Sequence, residues 1–170
     1  MAAIESNARF SPQMNSSWQG CYDSGWQGEI TAESFSHPAK FSRGLIRHIY
    51  EHALAEGWLA PGMTIVDPFG GVALGGLDAM WNGLNWVGVE LEPKFVAFGL
   101  MNIMRWEWKY GTKKGFGTAR IAQGDSRKLG EVIGRADCCI GRPPFSSAQS
   151  GGGINREKVV KLILNLISKK

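Results

Sequence analysis

The stretch that most constrains this chain is Met63 to Gly76, MTIVDPFGGVALGG. Met63-Thr64-Ile65-Val66 is a short apolar, β-branched run that reads as a buried strand. Asp67 and Pro68 end it, Phe69-Gly70-Gly71 opens a glycine-rich turn, and a helix is predicted from about Ala73 with Leu77, Met80 and Trp81 on one face. Strand, glycine turn and helix in that order form the ligand-binding corner of a doubly wound α/β sheet, where ligands sit at the carboxyl ends of the strands. Glycines there let the backbone approach a ligand that a Cβ would block. Their positions, 70, 71, 75 and 76, do not match the G-x-G-x-x-G fingerprint of dinucleotide enzymes. A glycine turn alone also serves α/β proteins with other ligands.

The chain has 170 residues, enough for one domain with a real core. No apolar run is long enough to span a membrane, and the polar start lacks the pattern of a secretory signal, so no membrane partner is expected and a cytoplasmic location is. Cys21, Cys138 and Cys139 lack metal-ligand spacing and are read as buried free thiols of a reducing compartment; no metal site is expected. The net charge of +4 is compatible with a nucleic-acid partner without requiring one. The basic cluster of Arg105, Lys109, Lys113 and Lys114 reads as a solvated face or as a contact to phosphates.

Residues 1–36 carry no helical or strand period and are expected to form an N-terminal arm, partly disordered or laid over the domain that spans 37–170. Trp18, Tyr22, Trp26 and Phe35 in this arm read as a hydrophobic clasp or as stacking platforms for bases. A helix follows, capped by Ser42, striped by Leu45, Ile46, Ile49, Tyr50 and Leu54, and ended by Gly57. The second strand is Asn85 to Leu91, ending functionally at Glu90, which lies 23 residues after Asp67. That offset is close to the roughly 20 residues at which an acidic side chain accepts ribose hydroxyls. A helix from Pro93 should present Phe95, Val96, Leu100, Ile103, Met104 and Trp106 as one apolar face, and a third strand covers about Thr118 to Ala122. Gly124-Asp125-Ser126 follows, with Asp125 suited to cap the next helix. A fourth strand, Ala136 to Ile140, runs into Gly141-Arg142-Pro143-Pro144-Phe145, and a closing amphipathic helix is predicted over Arg156 to Lys169.

Asp67-Pro68-Phe69 with paired glycines, and a strand-end residue followed by Pro-Pro and an aromatic, resemble the motifs of the amino-group DNA methyltransferases that act on adenine N6 or cytosine N4. The likeness runs from about His37 to Phe145. It implies a Rossmann-like α/β sheet of order 3-2-1-4 flanked by helices and incomplete at its C-terminal side. It also implies S-adenosyl-L-methionine as cofactor and DNA as partner. In such enzymes a segment like His37-Pro38-Ala39-Lys40-Phe41 lines the pocket for the methionine end of the cofactor. The resemblance further assigns Asp67, Pro68, Phe69, Gly70 and Gly71 to the cofactor loop, Glu90 and Leu91 to the ribose side, and Gly124, Asp125 and Ser126 to the adenine side. Arg142, Pro143, Pro144 and Phe145 fall in the catalytic loop, with Phe145 placed to stack on a flipped base.

Arg142 departs from the pattern, which usually has Ser, Asp or Asn there. A guanidinium offers donors and no acceptor, so it cannot take a hydrogen bond from a target amine. Either it swings away and backbone carbonyls suffice, or the chain is an impaired copy that binds cofactor or DNA without transfer. The family usually continues with further strands and a target-recognition region. Here the fourth strand is expected to be an open edge covered by the terminal helix, a second copy or another subunit that also supplies target recognition.

Overall fold

Alternation along the strands sets the layers. In the computed structural model, which describes residues 20–38 and 40–142, β1 (Thr64–Asp67), β2 (Asn85–Glu90), β3 (Thr118–Gln123) and β4 (Cys138–Cys139) form one parallel sheet of order β3-β2-β1-β4. This is the expected order. Ile65 pairs with Trp86 and Cys138, and Trp86 with Ala119; this row packs with α1 (Arg43–Ala55), α2 (Leu74–Trp81) and α3 (Pro93–Tyr110) in the larger core. Val66, Val87 and Cys139 share the next row and face a second, smaller core with Val89, Leu129, Ile133 and Ala136. The neighbouring cysteines therefore point to opposite faces, as a period of two requires. All three cysteines are free but only partly buried, short of the full burial expected, and burial pushes the Cys139 thiol up to about 12.

The ends of α1 follow its punctuation. Ser42 Oγ accepts from Leu45 N–H at 3.4 Å, and Gly57, at φ +71°, receives the chain just past the helix. α2 behaves differently. Seven of its eight residues are buried, so it has no polar face. Gly75 and Gly76, poor helix formers at about 1 kcal/mol each, sit against the indole of Trp86, which an added Cβ would meet at 2.9 and 3.3 Å. These two glycines serve helix-to-sheet packing. Trp81 is 43% exposed and does not join the inner face.

α3 corrects a second expectation. Gly99, Asn102, Ile103 and Trp106 are its buried residues, with Phe95, Val96 and Tyr110 partly buried beside them, whereas Leu100 and Met104 face outward. The helix runs on past Trp106, the last residue of the predicted apolar face, through Lys109 and Tyr110. Asn102 supplies the polar contact that fixes its inner face. Its amide donates to Val72 O and Ser34 Oγ and accepts from Thr31 N–H, at 2.8 to 2.9 Å.

The described part of the arm is a clasp. Trp26 and Ile30 are buried in the larger core, and the Trp26 indole donates to Phe41 O at 2.6 Å. Tyr22 and Phe35 remain exposed, at 93% and 46%. The basic cluster is partly committed to packing: Arg105 donates to Gly28 O, Lys109 pairs with Glu29, and Lys113 donates to Trp81 O. Trp18, the closing helix predicted over Arg156 to Lys169 and the cover expected for the β4 edge lie outside the described residues. Among the described residues no helix is long and apolar enough to cross a membrane.

Candidate functional site

Parallel strands bring their carboxyl ends to one edge of the sheet, and the residues singled out by sequence collect there. β1 ends at Asp67, β2 at Glu90, β3 at Gln123 just before Gly124-Asp125, and β4 just before Gly141-Arg142. The register pairs Asp67 with Gly88 and Glu90 with Gln123, so the β1 and β2 tips are offset by two residues.

Asp67 is buried, 2% exposed, and its Oδ1 accepts from Phe69 N–H at 2.9 Å, which folds the chain back at Pro68. Burial pushes its carboxyl up to about 7, the Phe69 N–H works against that, and the neighbouring Glu90 charge adds to it. Among the described residues no cation pairs with this carboxyl, and its burial is what holds it high. Gly141 closes over it from β4: a Cβ there would lie 2.6 Å from Asp67 Oδ1 and 3.0 Å from Pro68 Cδ. Nothing in the sequence singled out Gly141 for this contact.

The turn between β1 and α2 is set by backbone bonds. Gly70 N–H donates to Val89 O at 2.8 Å, and a Cβ at Gly70 would meet Gly88 Cα at 3.0 Å. Gly71 is left-handed, φ +54°, and Ala73 is the one non-glycine with positive φ among the described residues, at 66°. Gly71 N–H donates to Glu90 Oε2 at 3.0 Å, and Glu92 N–H donates to Glu90 Oε1 at 2.9 Å. Glu90 thus ties the glycine turn to its own strand end. Each of its oxygens holds one backbone donor, so lone pairs remain for a pair of hydroxyls. Leu91 beside it is 61% exposed.

The 37–41 segment reaches the same edge. The His37 ring lies over Gly71, where a Cβ would come within 3.2 Å, and meets Phe95 edge-on with centroids 4.4 Å apart. Lys40 Nζ donates to the carbonyls of Phe35 and His37, and Pro38 is exposed. Arg142 closes the ring of contacts by donating from Nη1 to Lys40 O at 2.9 Å. Its guanidinium is thus turned toward the 37–41 segment. Ala39, Pro143, Pro144 and Phe145 lie outside the described residues.

The β3 tip is of another kind. Asp125 caps the short 3-10 turn Ser126–Lys128 by accepting from Arg127 N–H, as expected, and the Arg127 guanidinium wraps its carboxylate at 2.5 to 3.0 Å. Those bonds lower Asp125 to about 2. Gly124 N–H donates to Glu90 O, joining this turn to the β2 end, and Ser126 opens the 3-10 turn. The edge therefore holds Asp67, the 70–71 turn and Glu90 together, with His37 packed over the turn and Asp125 adjacent and paired to Arg127. Among the described residues no cluster of His, Cys, Asp or Glu is arranged to hold a metal ion. A cleft of about 400 Å³ lies elsewhere, between α1 and the ends of α2 and α3, lined by Arg43, Arg47, Glu51, Asp78, Trp81, Asn82 and Tyr110.

No protein-family model matches the chain, and no curated protein matches it. Solved structures do. The chain is similar to TrmN of Thermus thermophilus, with 20% identity over 64% of this chain and 30% of that one and a TM-score of 0.50. It is also similar to a provisionally assigned RNA methyltransferase, PH1948, of Pyrococcus horikoshii, with 19% identity over 81% of this chain and 61% of that one and a TM-score of 0.56. The chain thus spans less than two thirds of either, and at these identities the likeness establishes the fold: a Rossmann-like sheet of the kind found in methyltransferases.

Proposed function

We propose that this chain is an S-adenosylmethionine-dependent methyltransferase whose target is an exocyclic amine, adenine N6 or cytosine N4, of a base flipped out of DNA. The observation that carries the proposal is the bonded set at the strand ends: a glycine turn after Asp67, held by Glu90, with the 37–41 segment laid over it. The residues fit an adenosyl group. Glu90 retains acceptor capacity for ribose hydroxyls, the left-handed Gly71 keeps the turn low, and Leu91 presents an apolar surface beside them. Asp125 would take the adenine amino group once its exposed pair with Arg127 opens. When bound, S-adenosylmethionine supplies a methyl group made electrophilic by a sulfonium.

The chain's own contribution is positional. His37 to Phe41 would line the methionine end, and Phe145 would stack on the base. The Pro143-Pro144 carbonyls would accept the amine hydrogens, with Arg142 held aside on Lys40 O. A second subunit would cover the β4 edge and read the target sequence. One observation favours a second reading, a cofactor- or DNA-binding copy without transfer: the position that normally accepts an amine hydrogen carries a donor-only guanidinium.

Two measurements separate these readings. S-adenosylmethionine should raise the melting temperature, and Asp67→Ala or Glu90→Ala should abolish the rise. Equal stabilisation of wild type and both variants would refute the site. Labelled-methyl transfer to mixed DNA at saturating cofactor, with Arg142→Ser alongside, tests the chemistry. Transfer by either protein supports the enzyme, and its absence from both supports the binding copy.

A further inference from the structure

The outward face of α3 is apolar along most of its length. Ala97, Leu100, Met101, Met104 and Trp108 lie on it, all exposed, the four large side chains at 45%, 45%, 66% and 88%. Positions 97, 101, 104 and 108, with Leu100 beside them, follow the three-and-four spacing that makes one stripe on a helix. No charged residue interrupts the stripe. The buried side of the helix, Gly99, Asn102, Ile103 and Trp106, is already fully used.

We propose that this stripe is a homodimer interface in which α3 packs against α3 of a second copy about a two-fold axis, the two helices running in the same direction. Three features select a second copy. The patch is self-sufficient, since a two-fold pairing buries the same apolar surface on both sides and needs no complementary pocket elsewhere. Its flanks carry opposite charge: the helical repeat places Lys94 and Arg105 along one side of the stripe and Glu107 along the other. With the helices parallel, the basic flank of each copy meets the acidic flank of the other, so that Arg105, which also donates to Gly28 O of its own chain, lies on the side of the partner's Glu107, whereas an antiparallel pairing sets basic flank against basic flank. At the stated exposures the stripe offers roughly 500 Å² per copy, so that pairing can remove up to about 1,000 Å² in all, the low end for a specific interface. Methionines that adapt their shape and a terminal tryptophan are the side chains such contacts favour.

The interface is independent of the functional reading, because α3 packs toward β3 while β4 forms the opposite edge and the strand tips stay clear. Light scattering on a sizing column, over a concentration series, should give the mass of two chains. Met104→Glu with Trp108→Glu should weaken the dimer by about 100-fold or more while leaving the circular dichroism of the fold unchanged. Met104→Cys should form an inter-subunit disulfide under mild oxidation, since the axis brings the two copies of this position together; the wild type, with Cys138 and Cys139 at the far edge and Cys21 in the arm, should not. A single-chain mass at every concentration, a dimer that survives the double substitution, or a Met104→Cys dimer that does not cross-link would each overturn the proposal.

Discussion

Two carboxylates at the strand tips of one sheet, separated by β2, have opposite characters. Asp67, at the end of β1, is buried, bonded among the described residues to the backbone of its own turn, and pushed up to about 7. Asp125, just past β3, is held by Arg127 and drawn down to about 2. Position in the fold is equivalent and environment is not. Burial, with no cation beside it among the described residues, makes the first carboxyl a built-in cost to the fold. Pairing with a solvated guanidinium makes the second a local cap that can be opened cheaply. The β1 tip is therefore preformed and the β3 tip adjustable, a division suited to gripping one end of a ligand firmly and closing on the other.

The largest effect expected from this contrast is at Asp67. Its ordinary value is 3.8 and its folded value about 7, so the folded chain holds a proton that the unfolded chain loses between those limits. Stability is thus unaffected at lower pH, falls as pH rises from about 4 to 7, and is lower by about 4 kcal/mol above that window. Asp67→Asn keeps an oxygen for Phe69 N–H and has no charge to bury. Denaturant titrations should find it matching wild type near pH 4 and more stable by roughly that amount above pH 7. Parallel curves would mean that Asp67 is not desolvated.

Gly141→Ala should cost about 1–3 kcal/mol by pressing a methyl group onto the Asp67 carboxyl. The loss should shrink in the Asp67→Ala background, which a double-mutant cycle would register. Arg142→Met removes the bond to Lys40 O and should weaken cofactor binding about fivefold, the equivalent of roughly 1 kcal/mol. Calorimetry would measure it, and an unchanged affinity would show that the 37–41 segment holds its place without the clasp. Smallest in stability is Asp125→Ala, which should leave the melting temperature nearly as it was while reducing affinity for the cofactor. A large loss of stability there would erase the distinction between the two tips.

Much of this edge was legible in the chain. Ile65 and Val66 are β-branched, Ser42 and Gly57 punctuate α1, and the offset from Asp67 to Glu90 placed an acid at the second strand tip. What sequence could not supply were contacts between distant residues. The spacing of Gly75 and Gly76 does not say whether a ligand or the Trp86 indole fills the space above them. Leu100 and Met104 fit an apolar stripe as well as Ile103 does, and only the direction of the sheet decides which side is inner. The bond from Arg142 to Lys40 joins residues 102 positions apart, and no local pattern announces it.

The central claim is that the ends of β1, β2 and β3 serve one adenosyl group. A crystal structure grown with S-adenosylmethionine tests it directly. The account predicts the ribose on Glu90, the glycine turn beneath it, and Asp125 released from Arg127 onto the adenine amino group. A ligand bound away from Glu90, or an Asp125–Arg127 pair unchanged with the adenine elsewhere, would contradict it.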